Sequence, residues 1–261
     1  MIGRRELPEH FERWNRRWGA PYGKRPRHVL RRQALRFTFP RAVGPFGFQP
    51  DNSITRRFEY PWAFHAVPLR AGMRAVEIGG SLAGLQFALA SAGVKVVNVD
   101  PGERATVGWP VNQASINRLN RAFRTDVELR NCFIEEAGLE AESFDLVYSI
   151  STIEHIPVTL LASILGEVNR ILKPGGRCVL TVDLFLDLEP FSYETRNITG
   201  TNVDVRWLVE QSGLRLDQGD RAELYGFAEF DPKRVMGNLF SYQYGTYYPS
   251  LAQALVLVKD R

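Results

Sequence analysis

Short solid blocks of apolar residues alternate with spaced apolar rows through the middle of this chain. Residues 75–78 are apolar but for Glu77, residues 94–99 are a β-branched run, and residues 125–133, 143–150 and 177–182 read as further strands. Between the blocks, residues 82–92, 110–123 and 158–172 carry apolar side chains at helical spacing. Alternation of this kind predicts consecutive strand–helix units and a parallel sheet covered by helices on both faces. Farther on, residues 203–212 read as a helix, 223–229 as a sixth strand and 251–259 as a seventh, an antiparallel pair closing the sheet.

Ahead of this region the pattern changes to isolated helices. Residues 8–18 begin at a proline suited to a first helical turn and line up Leu7, Phe11, Trp14 and Trp18 on one side. A second helix is expected over residues 27–37, with Val29, Leu30, Ala34 and Leu35, and a third over residues 54–67. The prolines and glycines of residues 39–51 argue for an irregular connection. The expected organisation is therefore a helical extension, residues 1–68, acting as a cap over the substrate, and a core, residues 69–261. Residues 231–250, with Phe240, Tyr242, Tyr244, Tyr247 and Tyr248, form an insertion too long for an ordinary hairpin loop. It is expected to serve as a lid or substrate wall, or to pack back on the N-terminal helices.

Chemistry enters where residues 73–103 join two strands through a glycine turn. Gly79, Gly80 and Ser81 follow the first strand, and glycine there lets backbone approach a ligand closely. Asp100 ends the second strand, at a spacing of about 20 residues that suits an acid accepting the ribose hydroxyls of an adenosine cofactor. Nicotinamide-cofactor proteins, flavoproteins and structural domains share such a turn. Glu77 separates them: beside an anionic pyrophosphate a carboxylate is unfavourable, whereas it suits S-adenosylmethionine, which carries a sulfonium and an ammonium and no phosphate.

Four motifs in order extend the pattern: Glu77-Ile78-Gly79, the acid Asp100, the strand Phe144-Asp145-Leu146-Val147-Tyr148-Ser149 with Glu154-His155 trailing it, and Leu172-Lys173-Pro174-Gly175-Gly176. Over about residues 70–183 the chain resembles the class I methyltransferases, in the small-molecule branch often called type 11. The resemblance implies a Rossmann-like seven-stranded, mostly parallel sheet and S-adenosylmethionine as cofactor. It implies cofactor contacts from Glu77, Gly79, Gly80, Ser81 and Asp100, from Phe133 and Ile134 at the adenine, and from Ser149 or Ser151 at the end of the fourth strand. Two departures stand out. Ser81 and Ala83 replace the second and third glycines of the family turn, and no acid follows the third strand, where Phe133 and Ile134 fall instead.

Methyl transfer asks mainly for orientation and for removal of a proton where the acceptor needs it. His155 is the leading base, since histidine titrates near neutrality and the segment after the fourth strand opens to the substrate side. The Glu154-His155 pair can equally serve to cap the following helix. Tyr60 and His65, on the helix before the first strand, are second candidates; His65 is also readable as an ordinary core or surface histidine. Glu59 either faces the pocket or pairs with Arg56 or Arg57. No metal is expected, because related quinone-pathway enzymes place a glutamate where this chain has Ser151, and hard-cation sites need several oxygens.

The acceptor expected is a hydroxyl or amine on a small metabolite, natural product or sugar. Residues 149–153 lack the Asn/Asp-Pro-Pro-aromatic pattern of base N-methylation. Alternatives are an RNA-directed methyltransferase and a non-catalytic scaffold that binds the cofactor without turnover. The RNA reading comes from charge: residues 1–41 hold 12 Lys or Arg against three Glu, which leaves 21 basic and 26 acidic residues of the chain's 33 and 29. Such a face can also be solvated or paired internally. At 261 residues and 44% hydrophobic the chain can bury a full core. No apolar run approaches membrane-span length and no secretory apolar centre is evident, so the default expectation is cytoplasmic, without membrane contact. Cys132 and Cys178, both expected in strands, read as inert thiols.

Overall fold

In the computed structural model, which describes residues 1–24, 38–49, 53–105, 108, 110–245 and 249–260, the apolar blocks form one seven-stranded sheet. Its strands are β1 (Arg74–Ile78), β2 (Lys95–Val99), β3 (Glu128–Arg130), β4 (Phe144–Ile150), β5 (Leu172–Phe185), β6 (Arg215–Gln218) and β7 (Ser250–Val258). They lie in the order β3-β2-β1-β4-β5-β7-β6. The first five are parallel, and β7 runs antiparallel to both β5 and β6. This is the parallel strand–helix arrangement that the alternating pattern predicts, in the Rossmann-like, seven-stranded form that the resemblance implies.

Alternation along each strand divides the core in two. Ala75, Tyr148 and Val179 face one layer, with α1 (Glu9–Trp18), α2 (Arg56–His65), α3 (Leu85–Ser91) and α4 (Gln113–Phe123). Their neighbours Val76, Val147 and Leu180 face the other, with α5 (Val158–Ile171) and α6 (Val205–Ser212). In α5 the buried residues are Leu161, Ile164, Leu165, Val168 and Ile171, a single stripe at helical spacing. Each such aliphatic side chain contributes about 1.5–3 kcal/mol by leaving water. β7 is buried at every position, as a strand inside the sheet with both faces covered must be.

The strand order reverses between β1 and β4, leaving a crevice at the carboxyl ends of the strands. Register puts those ends side by side: Ile78 opposes Val99 on β2 and Ser149 on β4, and Ser149 opposes Leu180 on β5.

Several expectations need correction. The sixth strand is Arg215–Gln218, not residues 223–229. There Glu223 closes a short 3-10 turn, Gly226 adopts φ +97°, and the Glu223 carboxylate accepts from the Ile2 N–H at 2.8 Å and from Arg4 at 2.5 Å. That backbone is spent on anchoring the N-terminal residues. Only Glu128–Arg130 of the expected third strand pairs, so Cys132 lies beyond it, half-buried, while Cys178 is buried within β5. Among its described residues the insertion, which includes α7 (Pro232–Gly237), packs on residues 2–5: Arg4 bridges to Tyr242, and the Gln243 N–H donates to the Gly3 carbonyl at 2.8 Å. It is a clasp on the chain's start. The helix expected over residues 27–37 lies outside the described residues.

The helix expected over residues 8–18 is α1, entered through Pro8. Phe11 and Trp14 seat it, with ring centroids 6.2 Å from Phe58 and 5.4 Å from Phe46. Its Arg13 and Arg16 pair with Glu9 and Glu12 one turn earlier.

Candidate functional site

A cavity of about 920 Å³ opens at the carboxyl edge of the sheet and spans the β1–β4 crevice. One half is walled by Glu77, Gly79, Ala83, Asp100, Phe133 and Ile134. The other is walled by Arg56, Tyr60, Ser151, Thr152, His155 and Thr199, with Ile156, Leu160 and Ile198 toward its mouth.

The first half is a turn built by hydrogen bonds to backbone. Gly79 takes φ +70°, and a Cβ there would lie 2.4 Å from the Thr152 side chain, so only glycine fits between β1 and the β4 loop. Asp100 receives the Ser81 N–H on one oxygen and the Gly102 N–H on the other, each at 2.7 Å. Burial raises its pKa, and the two N–H donors work against that rise. Glu77 is fully buried, and its Oε2 has no hydrogen-bond partner among the described residues. Burial, and secondarily the charge of Asp100, push it up to about 8. A buried acid with an unmet acceptor in a cavity wall suits a cationic group, which would restore its charge.

The second half holds a charged network that is buried. Arg56, on α2, donates to both Glu59 and Ser151. Glu59 Oε1 also accepts from Ser151 Oγ at 2.6 Å and from Thr181 Oγ1 at 2.7 Å. Burial alone would raise Glu59, but the Arg56 guanidinium and these hydroxyls outweigh it and hold the carboxyl below its ordinary value. Nearby Asp183 has no such counterion to itself; burial and the Glu154 charge raise it well above the usual carboxylate range. Glu154 is buried with neither oxygen hydrogen-bonded among the described residues, and burial pushes it up to about 7.

Beside it, His155 Nδ1 lies 2.5 Å from the Thr199 carbonyl oxygen. A carbonyl only accepts, so Nδ1 carries the proton and Nε2 is left bare in the neutral ring. Nε2 stands 4.0 Å from Glu154 Oε1. Thr199 is itself held by Asn197, whose Oδ1 accepts from the Thr199 and Gly200 N–H groups at 2.9 and 3.0 Å.

Of the residues expected from sequence, Glu77, Gly79, Asp100, Phe133, Ile134, Ser151, Tyr60 and His155 share this cavity. Gly80 and Ser81 shape the turn without forming its wall. Ser149 is buried inside the sheet between β1 and β5, outside the wall, and its hydroxyl has no partner among the described residues. His65 lies away from the cavity, at the end of α2, stacked on Phe11 at 6.0 Å and edge-on to His10 at 5.3 Å. Burial, then the neighbouring His10, lower its pKa. Glu59 resolves in favour of Arg56 as its partner, and the pair is buried. Sequence reasoning missed Asp183, Thr181 and Thr199, which carry no motif and meet the site only through folding. It also missed Arg104, which lies 4.9 Å over the Phe133 ring and pairs with Glu136, so that the apolar position after β3 is flanked by charge. Among the described residues no group of three or more His, Cys, Asp or Glu is arranged to hold a metal ion. No described helix is long and apolar enough to cross a membrane.

Comparison with known proteins agrees with this geometry. Residues 76–180 match the Methyltransf_11 family, described as a methyltransferase domain. A ubiquinone biosynthesis O-methyltransferase of Ruegeria pomeroyi is 28% identical over 199 residues, covering 76% of this chain and 69% of that protein. Among solved structures, magnesium protoporphyrin IX methyltransferase from Synechocystis, with bound S-adenosylmethionine, superposes with a TM-score of 0.50 at 13% identity, over 97% of this chain and 92% of that one. The [4+2]-cyclase SpnF gives a TM-score of 0.54 at 13% identity, over 77% and 79% of the two chains. A frame shared by a cyclase and a methyltransferase establishes the fold and not the reaction. The family match goes further: residues 76–180 have the sequence of a type 11 methyltransferase domain, which supports S-adenosylmethionine-dependent methyl transfer.

Proposed function

We propose that this class I methyltransferase transfers a methyl group to a hydroxyl of a small, largely apolar acceptor, with His155 Nε2 as the proton acceptor. The observation that carries the reading is the single cavity, which joins the Glu77–Asp100 half to a histidine whose tautomer is set by a backbone carbonyl. The residues of the first half fit the cofactor. Glu77 binds the methionine ammonium as a carboxylate, Asp100 takes the ribose hydroxyls on lone pairs left by its two N–H donors, and Phe133 and Ile134 line the adenine end. Bound there, S-adenosylmethionine supplies a methyl group made electrophilic by its sulfonium.

In the second half, His155 accepts the acceptor's proton at Nε2, and the neighbouring Glu154 carboxylate stabilises the imidazolium that results. Tyr60 and Ser151, lining the same half, orient the acceptor. Ile156, Leu160 and Ile198 favour an apolar or aromatic body over a sugar, with Leu160 and Ile198 exposed at the mouth. O-methyltransferase relatives support hydroxyl over amine as the receiving group. Of the N-terminal extension, α2 acts as the cap, through the wall that Arg56 and Tyr60 provide.

Calorimetry with S-adenosylhomocysteine, followed by methyl transfer to a panel of phenols, aliphatic alcohols, sugars and amines, tests the reading. Binding with turnover of phenolic or other apolar hydroxyl compounds is expected. Absence of cofactor binding would overturn the cofactor half, and turnover confined to amines or sugars would overturn the acceptor half.

A further inference from the structure

Within the turn after β1, glycine stands at residues 79 and 80, while Ser81 adopts φ +42°. A side chain in that left-handed region is unfavourable, and it persists only where the surroundings over-determine it. Here they do so on every backbone polar atom of the residue. The Ser81 N–H is taken by Asp100, and its carbonyl accepts from Asn98 Nδ2 at 2.9 Å and from Gln86 Nε2 at 3.1 Å.

Gln86 and Asn98 come from different elements, α3 and β2, and both are fully buried. The Gln86 amide nitrogen also reaches the Gly80 and Ala83 carbonyls, at 3.3 and 3.0 Å, and its oxygen accepts from Asn98 Nδ2 at 3.1 Å. Two interlocked amides thus gather the carbonyls of Gly80, Ser81 and Ala83 into the protein, while Gly79 and Ala83 form cavity wall. The packing is close: a Cβ on Gly80 would lie 2.8 Å from Asn98 Oδ1, an oxygen without a hydrogen-bond partner among the described residues.

We infer that Gln86 and Asn98 are positioning residues for cofactor binding, a side-chain clamp that presets the turn where the chain has serine and alanine. Polyglycine turns reach such conformations without help, whereas this one needs donors aimed at its carbonyls. The inference rests on the reading that the turn cradles S-adenosylmethionine. It adds residues that touch no ligand and act through the backbone of Gly80, Ser81 and Ala83.

Calorimetry with S-adenosylhomocysteine on the wild-type protein, Gln86→Met, Ser81→Gly and the double variant tests the clamp, with thermal melts in parallel. Gln86→Met keeps side-chain length and removes the donors; it is expected to weaken binding about tenfold. Ser81→Gly in that background is expected to restore most of the loss, because glycine holds φ +42° unaided. A purely structural role would lower the melting temperature with no recovery of affinity on adding Ser81→Gly. Should Gln86→Met fail to fold, Asn98→Asp removes the other donor at constant volume and carries the same expected loss and rescue. Wild-type affinity in the folded variant, or a loss that Ser81→Gly does not recover, overturns the clamp alone. Wild-type protein that does not bind overturns the cofactor reading and the clamp with it.

Discussion

At one end of the cavity, the bonds that hold the Gly79–Ala83 turn join residues 2 to 19 positions apart, and most run from a side chain to backbone. At the other, Glu59 meets Ser151 across 92 residues and Thr181 across 122, with side chain bonded to side chain. The first end owes its shape to one β–α–β unit and tolerates a nearly neutral Glu77. The second holds three carboxyls, Glu59, Glu154 and Asp183, around one guanidinium, where removal of a partner leaves an uncompensated buried charge. The turn end is therefore local and generic, whereas the end around Arg56 belongs to this particular chain and is the more fragile.

Catalysis gives the sharpest test of that contrast. Replacing His155 with Gln should lower kcat by about 10²–10⁴-fold while S-adenosylhomocysteine affinity stays within about twofold. Equal losses in both would mean that the two ends do not divide binding from proton transfer. Next in size is Glu59→Ala, which strands Arg56; denaturant unfolding should show a loss of about 3–5 kcal/mol. A loss near the ordinary surface value would show that the acceptor end is not held by charge.

On the cofactor side, Asp100→Ala should weaken S-adenosylmethionine binding by about 10–100-fold, since it removes a charged acceptor from the ribose and from two backbone N–H groups. A last test, of comparable size, is in pH. Glu77, raised to about 8 by burial, is mostly neutral at pH 7 in the free protein; on the proposed function it binds an ammonium as the carboxylate, so binding releases a proton. Affinity should rise by up to about tenfold per pH unit between 6 and 8 and level off above, and Glu77→Gln should flatten the profile. The same shift acts oppositely on folding: the folded state holds a proton that the unfolded chain has lost, so this group's stabilisation is complete below about 4.5 and fades as pH rises through about 8. Parallel trends in affinity and stability would contradict the assignment.

The sheet was legible because burial on both faces leaves long apolar runs, as in β4 and β7, and because helices such as α5 show one apolar stripe. β6 was not. It is an edge strand, Arg-Leu-Asp-Gln, with little buried surface, and its pairing with the end of β7 leaves no trace in its composition. Glu77, Gly79 and Asp100 were readable from their spacing, since the turn between adjacent strands of one β–α–β unit has little freedom. Gln86 and Asn98 lay within the same unit yet escaped notice, because an amide in an apolar stretch becomes meaningful only once its carbonyl partners are seen.

By itself, then, the sequence determined the layering of the fold, the glycine turn between its first two strands and the family of chemistry, all of which follow from short-range periodicity and local spacing. Only the tertiary structure decided that the aromatic insertion clasps the first residues, that His65 belongs to an aromatic cluster, and that Arg56, Glu59, Ser151, Thr181 and Asp183 form one buried network. The physical reason is range. Backbone geometry and hydrophobic period act over a few residues and are written along the chain, while hydrogen bonds and desolvated charges act between whatever groups the fold brings within about 3 Å.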